Sequence, residues 1–374
     1  MQTTQQSQRF DALTGLRFIA VCCVFLYHNR KYWRPSIHPE LSRILNELHF
    51  GVALFFVLSG FLIAYTYDTK PLASPKSYLR YFLLRCARIL PLYWLILTAF
   101  YLDPRYGKQQ FSALTYSLLH GFSNRHNLDG LNQAWSLNVE MTFYLLAPIL
   151  CFFKQKHLKY LLLAVSTSFI LFWGIGQTWN LINHNPNQFF TPFHFLLQGT
   201  FPGRCTEFIA GMLLAGAIQS GNSLLKNLRH KTILASTGII AITYIIGLFQ
   251  PTIFLHGYDH PIGMVLSKLI LPILISLLLA GLIYEKTYLQ DILSHSFVVL
   301  LGNASFAFYL IHISYVNLKF KGWHLFPDRN FTLLWVIALL LYKFFEKPIY
   351  DYCRKALQPR NKINASPHSN QAQG

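Results

Sequence analysis

The stretch "FFVLSGFLIAYTY", residues 55–67, decides how the rest of the chain is read. It carries no charge, yet it lies between "HNRKYWRPSIH" (28–38) and "KSYLRYFLLRCAR" (76–88), two segments rich in arginine, lysine and histidine. Extended back to residue 47, it supplies the roughly 20 mostly apolar residues that a helix needs to cross about 30 Å of hydrocarbon. The basic blocks on either side are then loops facing headgroups and water. Ser59 and Gly60 interrupt the run near its middle. Small residues let a second helix or a thin ligand approach closely at that depth, and the sequence is compatible with either.

The whole chain repeats this pattern. Its 374 residues are 53% hydrophobic and 12% charged, the balance of a polytopic membrane protein rather than of two or three soluble domains. A net charge of +18 would suit a nucleic-acid binder if the basic residues formed one stripe. They sit instead in short blocks between apolar runs, so nucleic acid is not an expected partner. Apolar runs near 12–28, 47–67, 80–101, 139–153, 158–175, 204–219, 233–250, 262–284, 297–318 and 331–347 predict an all-α integral membrane protein with about ten transmembrane helices. The stretches 110–121 and 188–198 are apolar enough to lie on the membrane surface or re-enter it.

The first ten residues are polar and no small-residue cleavage site follows the first apolar run, so no signal peptide is expected. Lysine and arginine are more numerous on the side that holds the N-terminus, which predicts both termini in the cytoplasm. The expected organisation is a cytoplasmic segment 1–10, one transmembrane domain 11–352, and a cytoplasmic tail 353–374 that is polar, aperiodic and disordered. The six cysteines form no CxxC pair and read as small core residues, so neither a metal nor a disulfide is expected. P-loop, HExxH and GxSxG patterns are absent, and no GxGxxG follows a strand.

An ionisable group at bilayer depth costs at least a few kcal/mol and needs a partner or a purpose. The first span holds two. Arg17 and His28 are separated by three helical turns plus about 20°, which puts them on one face about 16 Å apart along the axis. His28 reads either as a working imidazole near the outer surface or as part of a polar cap with Tyr27 and Asn29. Arg85 and Arg88, at i and i+3, form a fork for phosphate or carboxylate groups or, alternatively, a positive-inside anchor. Glu140 lies just inside the outer end of the fourth span, beneath Trp135 and Ser136, where a carboxylate can orient an imidazole such as His28. Glu207 follows Arg204 by three residues, a spacing at which the pair neutralises itself. His312, on an otherwise aromatic helix, reads first as a satisfied core residue. Intramembrane Arg, His and Glu also line proton-coupled pathways, so a transporter of a sugar or organic anion is the alternative reading, without an internal repeat to support it.

The order of Arg17, ten residues, His28, then "FFVLSGFL" (55–62), "RCARILPLYW" (85–94), "WSLNVEMTFYLLAP" (135–148), "EFIAGMLLA" (207–215), "GNASFAFYLIHIS" (302–314) and "FEKPIYD" (345–351) resembles the membrane-bound acyltransferase family 3. The likeness runs from about residue 8 to 352. Members of that family are O-acetyltransferases that decorate bacterial lipopolysaccharide, capsule, exopolysaccharide and peptidoglycan, along with some macrolide acylases.

The resemblance implies that His28 is the catalytic base or an acyl carrier, with Arg17 its essential companion and Glu140 its orienting acid. It ties Arg85 and Arg88 to acyl-CoA use and places Phe55, Phe56, Ser59 and Gly60 in the second-helix motif, Ser59 and Gly60 beside the thioester's path. Trp135 and Ser136 fall with Glu140 in a WSL-x-x-E motif, and Glu207 and His312 fall in supporting positions. The implied activity is O-acylation in the bacterial inner membrane. An acetyl group would pass from acetyl-CoA, a cosubstrate rather than a bound cofactor, to a hydroxyl of a cell-surface glycan or glycolipid such as lipopolysaccharide O-antigen. Membrane lipids are the other implied partner. Many relatives append an extracytoplasmic esterase-like domain; the short tail here resembles the stand-alone members.

Overall fold

A computed structural model describes residues 2–33, 38–67, 74–103, 112–156, 158–183, 189–250, 256–313 and 327–358. Among these residues the chain is helical, with one isolated antiparallel bridge between Ser123 and Phe189 and no strand. The helices are α1 (Gln2–Trp33), α2 (Pro39–Glu47), α3 (Gly51–Tyr67), α4 (Pro75–Tyr101), α5 (Ala113–Tyr116), α6 (Trp135–Lys156), α7 (Leu158–Asn183), α8 (Phe193–Gly199) and α9 (Phe201–Gln219). There follow α10 (Ser223–Asn227), α11 (Lys231–Leu248), α12 (Pro261–Val265), α13 (Leu271–Tyr284), α14 (Tyr288–Ser294), α15 (Ser296–Asn303), α16 (Ser305–Ile311), α17 (Pro327–Leu341) and α18 (Lys347–Ala356).

Six helical segments among the described residues are long and apolar enough to cross a membrane: Phe10–Arg30, Pro39–Tyr67, Pro75–Tyr101, Asn132–Phe152, Lys231–Leu248 and Pro261–Tyr284. This is fewer than the ten expected. The expected fifth and sixth spans fall on α7 and α9, the latter carrying Arg204 and Glu207 inside the protein. The expected ninth span, 297–318, is not one helix. Asn303 ends α15, Ala304 turns with φ −82° and ψ 0°, and α16 runs on only to Ile311; residues 314–318 lie outside the described residues. The expected tenth falls on α17 and the π-helical turn that follows it.

The two stretches expected at the membrane surface meet each other. Residues 119–122 form a 3-10 turn whose Phe122 carbonyl accepts from the Phe190 N–H at 3.1 Å. At the C-terminus α18 continues through the expected domain boundary at 352 and ends at Ala356. The disordered tail expected beyond it lies, from residue 359, outside the described residues.

Local sequence explains the main joints. Ser74 and Ser77 form a reciprocal capping box at the start of α4, with Pro75 at the first helical position, where its missing N–H costs nothing. Leu266–Ile270 and Tyr342–Glu346 are π-helical turns. Such one-residue insertions shift the helical register, and each here carries a charged residue, Lys268 or Glu346, into the protein.

The core lies where α3 packs along α9. Val57, Phe61, Phe143 and Phe208 are fully buried, and the Phe208 ring stacks on Phe56 (4.6 Å) and Phe143 (4.2 Å). A side chain on Gly60 would run into the Phe208 carbonyl, and one on Gly211 into that of Val57. The two backbones therefore touch. The opposite surface is apolar and exposed, as at Ile170 and Leu181 of α7, which suits contact with lipid tails rather than water.

Candidate active site

Two cavities share a wall. A chamber of about 550 Å³ is lined by His28, His49, Gln133, Trp135, His194, Arg204 and Tyr258 among others. A narrower cavity of about 70 Å³ is lined by Arg17, Phe55, Phe56, Ser59, Arg88, Ser136, Glu140 and Tyr144. Val52 and Tyr309 line both. The Arg17 and His28 ends of the α1 face thus open on neighbouring spaces. Val52 and Tyr309 form the wall between them.

In the narrow cavity Ser59 Oγ donates to Glu140 Oε1 at 2.9 Å. The hydroxyl of Tyr144, one turn further along α6, donates to the same oxygen. Arg17 is within electrostatic reach of Glu140, Tyr144, Arg85 and Arg88. The two arginines of the expected fork have different surroundings. Arg88 lines the cavity, whereas the Arg85 guanidinium lies 5.6 Å from the ring centres of both Tyr81 and Tyr144. Glu346, from its π-helical turn, is buried near Arg17 and Arg88 and adds a second carboxylate to this cationic group.

In the larger chamber His28 is exposed, with its ring 5.2 Å from that of His312 and 4.7 Å from that of Tyr27. His312 is fully buried, as a core residue would be, and its Nδ1 lies 2.6 Å from the Tyr309 carbonyl. A carbonyl only accepts, so Nδ1 carries the proton and Nε2 is left as the acceptor in the neutral ring. Ser136 Oγ donates to the Gln133 carbonyl (3.0 Å) and lies 2.7 Å from the Tyr309 hydroxyl, which fixes the wall between the cavities. Glu140 and His28 therefore line different cavities.

Gly60 is a point of backbone contact rather than part of a cavity wall. Glu207 pairs with Arg204 at 3.1 Å, as the i, i+3 spacing suggested, and also with Lys268 at 3.7 Å. The Arg204 guanidinium lies over Phe56 (5.3 Å) and Trp135 (5.7 Å). Sequence reasoning passed over Lys268, Glu346, Tyr144, Tyr309 and His49. Lys268 and Glu346 carried the same signal as Arg17, a charge inside an apolar run. Tyr144 stands at i+4 from Glu140, a spacing that places both on one face.

The outer rim adds a polar turn. Burial works against ionising Asp259, but hydrogen bonds from His194 (2.7 Å) and from the His256 N–H (3.2 Å) outweigh it and hold the carboxyl below the usual carboxylate value. What that pair contributes to holding the turn is present above the ordinary aspartate pKa and lost as pH falls through the lowered one. Burial, opposed by Asp259, lowers His256. Among the described residues no cluster of three His, Cys, Asp or Glu is arranged to hold a metal ion.

A serine-to-alanine change separates packing from chemistry at the motif of residues 55–67. Ser59→Ala is expected to leave the melting temperature within a few degrees of wild type, because it removes no volume from the α3–α9 contact. It is expected to lower turnover about tenfold by taking one charge-assisted hydrogen bond from Glu140. Unchanged turnover in a purified-protein assay would show that the Ser59–Glu140 bond has no part in transfer.

The chain is similar to several known proteins. The chain is 24% identical over 93% of its length to a predicted O-acetyltransferase of Staphylococcus aureus, of which it covers 58%. It is likewise 24% identical over 93% of its length to the peptidoglycan O-acetyltransferase of Listeria monocytogenes, of which it covers 57%. It is also 22% identical over 92% of its length to a regulator of hypoxia-inducible factor 1 from Caenorhabditis elegans, of which it covers 80%. The chain thus spans less than three fifths of the two bacterial relatives. No solved structure matches it. Residues 10–342, nearly all of the helical region, match the family's acyltransferase domain, and the chain belongs to the membrane-bound acyltransferase family 3.

Proposed function

We propose that the protein moves an acetyl group from acetyl-CoA, at the cytoplasmic face of a bacterial inner membrane, to a hydroxyl of a cell-surface glycan. The observation that carries this reading is the pair of cavities on either side of Val52 and Tyr309, with arginines lining one and His28 beside His312 lining the other. Arg88 and Arg17 suit the phosphates of the donor. The pantetheine arm follows the narrow cavity past Ser59 and Glu140, and the chamber receives the sugar. His28 takes the proton of the attacking hydroxyl as the new C–O bond forms and the C–S bond breaks, and the proton passes on to the leaving thiolate. Glu140, held by Ser59 and Tyr144, balances the arginines along the path rather than touching the reacting atoms. The relatives named as O-acetyltransferases support the choice of acyl group and acceptor atom.

The test is transfer itself. Purified protein in liposomes, given labelled acetyl-CoA and a de-esterified surface glycan, is expected to release CoA only when the glycan is present and to label the glycan. Release of CoA without glycan labelling, or no release at all, overturns the reading. Arg88→Ala is expected to raise KM for acetyl-CoA about tenfold or more, the effect of losing a charged hydrogen bond, while KM for the glycan stays within twofold. Equal rises in both would show that Arg88 holds the fold and not the donor.

A further inference from the structure

The larger chamber has a charge imbalance that acetyl transfer to a neutral sugar does not require. Arg204 and Lys268 are both buried, and both approach a single oxygen of one carboxylate, Glu207 Oε1, at 3.1 and 3.7 Å. Two buried basic side chains thus share one carboxylate. Of the two, Arg204 opens on the chamber, 6% exposed, with its guanidinium near the Phe56 and Trp135 rings. Guanidinium donors at a desolvated wall are costly unless an acceptor completes them. Among the described residues nothing else in the chamber does so, because its lining holds imidazoles, amides and apolar or aromatic side chains but no Asp or Glu. The nearby acids are already engaged. Glu47 accepts from the Gly257 N–H and the Gln250 amide, both at 2.7 Å, and Asp259 is held by His194.

A guanidinium presents five donors in a planar fork, and an ion pair to one Glu207 oxygen leaves the rest of that fork for a second oxyanion. The flanking aromatic ring of Trp135 offers a face on which a sugar can stack. We infer that the acceptor is an acidic glycan, and that Arg204 binds the carboxylate or phosphate it carries next to the hydroxyl being acetylated. The inference rests on the proposed acetyl transfer, which assigns this chamber to the acceptor and the Arg17–Arg88 cavity to the donor.

The experiment uses the full-length protein in liposomes with acetyl-CoA and three acceptors prepared from one surface glycan of the source cells after mild-base de-esterification. These are the glycan itself, the glycan with its carboxylates reduced to alcohols, and the glycan with its phosphates removed. Wild type is expected to lose about 10- to 100-fold in kcat/KM on one of the two altered acceptors, the range for losing a charged hydrogen bond; the arm that falls names the anion. Arg204→Gln leaves Glu207 paired with Lys268 and so keeps a balanced buried pair. It is expected to act on the unaltered glycan at the reduced rate and to lose nothing further on the altered one.

Equal rates of the wild type on all three acceptors would overturn the anion site while leaving acetyl transfer standing. So would an Arg204→Gln loss that is as large on the neutralised glycan as on the native one. No acetylation of even the native glycan would overturn the proposed function and the anion site with it.

Discussion

His28→Ala is expected to lower acetyl transfer by about 10²- to 10⁴-fold, the range supplied by a positioned general base, with no loss of protein from the membrane. The side chain is exposed to the chamber, while α1 is anchored by Ala20, Val21, Val24 and Phe25, all nearly or fully buried. Removing the imidazole therefore takes away chemistry and not packing. What it removes is a ring 5.2 Å from that of His312, whose Nδ1 is committed to the Tyr309 carbonyl. The His312 ring is fully buried, so it is placed to steady His28 rather than to replace it. The measurement is labelled acetate on the glycan per unit of folded protein in isolated membranes. A His28→Ala protein that expresses normally and transfers at more than a tenth of the wild-type rate would remove His28 from the mechanism.

Much of this site was legible before any coordinates. Arg17, Glu140 and the Arg204–Glu207 pair stood out because charge inside an apolar run is costly and therefore informative. The common face of Arg17 and His28 followed from helical periodicity alone, and the structure opens both ends of that face on adjoining cavities. Other features were hidden for physical reasons. Periodicity fixes a direction around one helix but says little about depth between helices, so Glu140 was expected beside His28 and instead lines the narrow cavity with Ser59 and Tyr144. Lys268 and Glu346 sit in π-helical turns, where the regular 3.6-residue period no longer tells which face a residue occupies. The break within the ninth expected span was hidden for a related reason. Hydropathy averaged over a window cannot see that Ala304 turns the chain between α15 and α16.

Gly60→Leu is expected to prevent the folded state rather than to slow it in catalysis. At Gly60 the α3 backbone meets the Phe208 carbonyl of α9 with no room for even a Cβ, and three residues along α9 the contact is returned by Gly211 against the Val57 carbonyl. Such reciprocal small-residue contacts let membrane helices approach to backbone distance, where dispersion and weak Cα–H···O contacts replace the missing hydrophobic effect. Even a few extra methylenes in a packed core cost about 1–3 kcal/mol; an isobutyl group wedged between two backbones exceeds that range. The damage spreads because α9 carries Arg204 and Glu207, and Phe208 stacks on Phe56, a wall of the narrow cavity. Separating α3 from α9 therefore opens both spaces at once. Gly60→Ala is expected to fall between wild type and the leucine variant in melting temperature in detergent, and Gly211→Ala to match it, since the two glycines serve one contact. Ser59→Ala, next in sequence but bonded to Glu140, is expected to melt like wild type. A Gly60→Leu protein that elutes as a single species and melts within a few degrees of wild type would mean that α3 and α9 do not touch as described.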